Sequence, residues 1–132
     1  AGTTASAGWA SGGFDTSQGG GTDGFAAKLS PDGQLLWATY LGGAGNDSAT
    51  GIAIDPSFNL FISGYTTSAG WTHGGFDTIQ NGAADGFLVK LSNGGAHLWS
   101  TYLGGSSNAG SGAGDGPPLA PAAILAMIIL TI

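Results

Sequence analysis

The residues in this chain best equipped for chemistry are aspartates, histidines and tryptophans, and all four tryptophans and half of the eight aspartates recur at a fixed spacing of 62 residues. Asp15 returns as Asp77, and Asp23 as Asp85. Two carboxylates held close together can divide acid and base work between them. Residues related by a repeat, however, sit in successive units and do the same job in each. Asp before Gly in "TDGF" and "ADGF" is therefore expected to accept hydrogen bonds at a turn or cap. His73 and His97 stand where the other copy has Ser11 and Leu35, so neither belongs to the repeated plan. No third ligand is suggested for a zinc site, and rim or solvated positions are expected for both. Trp9 and Trp71 each lie in "SAGW", within Gly, Ser and Thr loops. An indole in such a loop can stack on a sugar ring or a neighbouring subunit, or fold back over a sheet edge as a plug.

"GGAGND" at 42–47 resembles the start of a glycine and aspartate calcium loop, in which Asp supplies hard oxygen ligands. That makes Asp47 the calcium candidate. The corresponding "GGSSNA" lacks the Asp and no tandem array follows, so a plain Asn-Asp turn is the simpler reading. Asn46, Asp47 and Ser48 also form an N-x-S sequon. The chain contains no G-x-S-x-G, P-loop or dinucleotide fingerprint and no cysteine. A non-enzymatic protein is expected, with no catalytic residue and no required cofactor.

Composition limits the partners. Two lysines, no arginine and eight aspartates among 132 residues give a net charge of −6 on a sparsely charged chain. Nucleic acid needs clustered cations to displace its counterions, so it is not an expected partner. At 42% apolar residues the chain has the means to fold. It opens "AGTTASAG" without Met, which suits a chain left by signal-peptide cleavage, and an extracellular or cell-surface location is expected.

The elements that must carry these residues emerge from the repeat. Between Gly2 and Asn46, 28 of 45 positions are identical 62 residues later without a gap, far beyond coincidence. "QLLWATYL" and "HLWSTYL" are short, aromatic-rich and bounded by "PDG", "NGG" and "GG", which marks them as strands. Alternation places Leu35, Trp37, Thr39 and Leu41 on one face and Leu36, Ala38 and Tyr40 on the other. Both faces are largely apolar, as in a sheet covered on both sides. Between the copies, Gly51–Ile54 and Leu60–Tyr65 read as strands joined by a "DPSFN" turn, and one period holds four antiparallel strands.

The motifs "DGF", "KLS", "TYLGG", "GND", "GIAID" and "SGYT" together resemble the SBBP β-propeller repeat of secreted and surface proteins. The resemblance spans about residues 2–108 and implies an all-β fold of propeller-like blades and an extracytoplasmic setting, with no particular reaction. Residues 1–108 then form the repeat region, with a half blade at about 14–47 and a full blade at about 48–108. One and a half blades cannot close a ring, which takes about four to eight. Exposed faces and edges should therefore drive self-association.

Residues 109–132 form a Gly/Pro hinge and an apolar tail, whose last uninterrupted apolar run is too short for a transmembrane helix. The tail is expected to be a buried terminal strand, a strand donated to a neighbouring copy, or a membrane or sorting signal. Ile124, Met127, Ile128, Ile129 and Ile132 would carry its contacts as a strand. Two roles remain open. One is a structural protein that self-assembles into a filament or surface layer. The other is a propeller binding module that recognises glycan or protein through Trp9 and Trp71.

Overall fold

The computed structural model describes residues 1–106; the tail residues Ile124, Met127, Ile128, Ile129 and Ile132 lie outside this range. Seven strands are formed: β1 (Gly2–Thr4), β2 (Asp23–Leu29), β3 (Leu35–Leu41), β4 (Asp47–Ile54), β5 (Leu60–Thr66), β6 (Asp85–Leu91) and β7 (His97–Leu103). Two antiparallel sheets result, ordered β1-β2-β3 and β4-β5-β6-β7. Among the described residues there is no helix long and apolar enough to cross a membrane.

The half blade is larger than the sequence suggested. Its third strand, β1, pairs Gly2 with Phe25 and Thr4 with Asp23, as β5 pairs Gly64 with Phe87 and Thr66 with Asp85. The two registers coincide under the 62-residue shift. In the second sheet, β4 begins at Asp47 rather than Gly51, because the polar "DSAT" start already pairs with the end of β5.

Each hairpin turn has the same construction. Ser30 and Gln34 close one turn, Ser92 and Ala96 another, Asp55 and Asn59 a third, each with a backbone hydrogen bond of 2.8–3.0 Å. The fourth residue of every turn is left-handed: Gly33 (φ 82°), Gly95 (φ 84°) and Phe58 (φ 63°). Glycine meets that requirement without steric cost, whereas Phe58 accepts strain and remains 66% exposed.

The long loop of each copy protects the outer edge of its sheet. The main chain of Ser11 and Asp15 accepts hydrogen bonds from the amides of Ala38 and Tyr40, and His73 and Asp77 do the same for Ser100 and Tyr102. The edge strands β3 and β7 thereby lose most of their free pairing capacity.

From β3, an outermost strand, the chain crosses to β4 at the far edge of the next sheet, where β4 packs beside β1 and β2. An outer-to-inner step between stacked sheets is the connection of a propeller. The core lies between the sheets. Ala26, Trp37 and Leu41 pack there against Leu60, Ile62, Phe87, Val89 and Leu91. Complete burial of an aliphatic or aromatic side chain of this size stabilises by about 1.5–3 kcal/mol.

Candidate functional site

The geometry that distinguishes this molecule is the contact between its sheets, together with the two faces left over. At the internal contact, the 92–96 turn of the second sheet sits on Trp37. The indole N–H of Trp37 donates to the carbonyl of Asn93 at 3.0 Å, and Lys28 donates to the Asn93 side chain. Gly95 lies so close to the indole that an added Cβ would come within 2.7 Å of the ring. Phe14 reaches across to His97, with ring centroids 5.1 Å apart. A hydroxyl pair, Thr3 and Ser48, joins the strands at the inner side.

The front of the second sheet repeats the receiving surface. Leu88, Trp99 and Leu103 stand at the repeat positions of Ala26, Trp37 and Leu41. With Gly74, Gly75 and Phe76 they line an open, mostly apolar hollow of about 350 Å³. Phe61 packs edge-on against Trp99 at 6.1 Å. Phe76, at the repeat position of Phe14, is 83% exposed.

The back of the first sheet repeats the inserting surface. Ala27, Leu29 and the 30–34 turn correspond to Val89, Leu91 and the 92–96 turn. Leu91 is fully buried, whereas Leu29 is 58% exposed.

Trp9 and Trp71 cover the backs of their own sheets. Trp9 meets Phe25 edge-on at 5.1 Å and Tyr40 at 5.9 Å; Trp71 meets Phe87 at 5.0 Å and Tyr102 at 6.4 Å. The Trp71 N–H donates to the Thr66 hydroxyl. The phenols of Tyr40 and Tyr102 donate to the carbonyls of Ser6 and Ser68, both at 2.8 Å, which fixes the loop over the sheet. This loop is what covers the second face of β3; a second packed sheet covers only the first.

The aspartates hold loops. Asp23 accepts from the Gly19 amide at 2.8 Å, and Asp85 from the Asn81 amide at 3.0 Å. Burial pushes the Asp23 carboxyl above its usual range, opposed by the Gly19 hydrogen bond and reinforced by the charges of Asp47 and Asp15. Its repeat mate Asp85 is not among these neighbours. Both oxygens of Asp47 are engaged by the protein itself. One accepts from the Thr66 hydroxyl, the other from Ser68 at 2.7 Å and the Gly43 amide at 2.9 Å.

Sequence reasoning did not anticipate the pairing of the histidines. His73 and His97 stack with ring centroids 3.9 Å apart, and His97 also contacts the Ser100 hydroxyl. Burial and then the proximity of His73 lower the pKa of His97. The signal was present in the register, because His73 and Ser100 repeat the edge contact of Ser11 and Ala38.

Residues 36–71 match the family model of the SBBP beta-propeller repeat. The chain carries an SBBP-type repeat. The matched segment starts in β3, passes through β4 and β5, and ends at Trp71. The SBBP unit thus straddles two sheets and includes the crossover that stacks one on the next. No curated protein matches the chain significantly.

Proposed function

We propose that this SBBP-type chain is a non-enzymatic structural module, exported from the cell, that self-assembles into an extracellular filament or surface layer. One observation carries this reading: apolar side chains at the two ends of the sheet stack are more exposed than their repeat mates in the middle, with Trp99 and Leu103 half-buried against the buried Trp37 and Leu41. Leu29 against Leu91 is the clearest pair. Exposed apolar surface of this kind favours association. The roles of the polar side chains agree, since the aspartates are engaged in holding loops and the loop tryptophans in covering their own sheets.

Negative-stain electron microscopy and sedimentation velocity on the full chain, over a rising concentration series, test the proposal. Filaments or a ladder of oligomers are expected. Monomeric particles throughout the series would overturn it.

A further inference from the structure

We infer that a second copy of this chain docks head to tail, with the back of its first sheet seated on the front of the second sheet, in the register of the internal contact. The inference rests on the structural role proposed above and specifies its partner and contact residues.

The internal contact supplies a template, and each part of it has a counterpart at the two ends. Inside the molecule, Trp37 receives the turn carrying Asn93 and Gly95. At the ends, among the described residues, half-buried Trp99 lines the open hollow on one side of the stack, and the largely exposed 30–34 turn, with Gly33 in the same left-handed conformation as Gly95, lies on the other. The shift of 62 residues brings the Pro31 carbonyl to the Trp99 indole, as the Asn93 carbonyl meets that of Trp37.

The apolar contacts transfer equally well. Phe14 touches His97 within the molecule; the same step brings Phe76 onto Leu35, and these two side chains are 83% and 42% exposed. Side-chain size is balanced. Ala26 and Val89 share the internal core, whereas Leu88 and Ala27 would share the new one, so the larger residue has only changed sides.

Charge agrees as well. Lys28 finds Asn93 in the turn seated on it, and Lys90 would face the turn that carries Asp32. A lysine and a carboxylate brought together at the rim favour this register over a face-to-face pairing of two Lys90 surfaces.

Because the two surfaces differ, the contact is heterologous: copies add one to the next until the rotation closes a ring, or into an open filament where it does not close. Two substitutions separate this arrangement from a symmetric one. Leu29→Asp spoils only the inserting surface and Phe76→Asp only the receiving one, and both sites are exposed enough for the fold to tolerate the charge.

In sedimentation velocity, each variant alone should associate about 30-fold or more weakly than the unmodified chain. Mixed in equal amounts, they should form a dimer that grows no further, because each variant retains one intact surface. Failure of the mixture to dimerise, or unchanged association of either variant alone, would overturn the head-to-tail register while leaving self-assembly standing. An unmodified chain that stays monomeric at every concentration would overturn both.

Discussion

Leu29 and Leu91 occupy the same position of the repeat, follow the same Lys and precede the same Ser, yet one is exposed and the other is sealed in the core. The difference lies in what stands behind each sheet. The second sheet has the first to lie on; among the described residues the first has only its own Trp9 loop. The two copies have the same local design and differ in their neighbours. A conserved position in a stacked fold therefore reports a place in the stack, and exposure shows where the stack is open.

Substitution of matched pairs sharpens this comparison. Trp37→Ala removes a buried indole and its hydrogen bond and should cost about 3–5 kcal/mol. Trp99→Ala, at the open face, should cost about 1–2 kcal/mol in dilute solution. Urea unfolding of both variants measures the gap, and equal costs would mean that the two faces are covered alike.

Next in size is the pair Gly64 and Gly2. A Cβ at Gly64 would fall 1.9 Å from the carbonyl oxygen of Ser48 on the adjacent strand, whereas at Gly2 its nearest neighbours are ring atoms of Phe25 at 2.9 Å. Gly64→Ala should destabilise by about 3 kcal/mol, and Gly2→Ala by about 1 kcal/mol or less, because a ring can move and a paired backbone cannot. Thermal unfolding distinguishes them.

The turns provide a smaller contrast. Phe58 holds the left-handed position that glycine holds in the other two turns. Phe58→Gly should stabilise by about 0.5–1 kcal/mol, the relief of strain exceeding the added chain entropy.

The smallest expected effect is that of His97, which replaces the Leu35 of the first copy. Its pKa in the folded protein is depressed below 6.5, so the neutral ring is favoured by folding. The stability this provides is fully present above pH 6.5 and is lost as pH falls through the folded value. His97→Leu should flatten the melting temperature over that range, measured relative to the unmodified chain.

Much of this was legible in the sequence, for definable reasons. The 62-residue shift and the Gly-bounded aromatic runs located β2, β3, β6 and β7, and alternation separated Trp37, Thr39 and Leu41 from Ala38 and Tyr40; it misplaced Leu35, which a bulge between Lys28 and Leu29 turns to the face of Leu29. The short β1 escaped notice because three residues, Gly-Thr-Thr, carry no apolar pattern; its trace was the match of Gly2 and Thr4 to Gly64 and Thr66. What covers the back of β3 was legible in part: the Trp9 loop folding back over its sheet was one of two readings, but as a plug at the edge, whereas Trp9 lies on the face against Phe25 and Tyr40. That faces would stand open was expected from one and a half blades, but which residues stand on them was not legible. Leu29 and Leu91 share an almost identical local sequence, and only the packing of one sheet on the other separates them.

The indole N–H groups offer the most direct test, read by hydrogen exchange in nitrogen-15 NMR spectra of the full chain at increasing concentration. The Trp37 N–H, bonded to Asn93, should be protected throughout. The Trp99 N–H should exchange quickly in dilute solution and gain protection as copies associate. Equal protection of both in dilute solution, or rapid exchange of Trp37, would contradict the account of one closed and one open face.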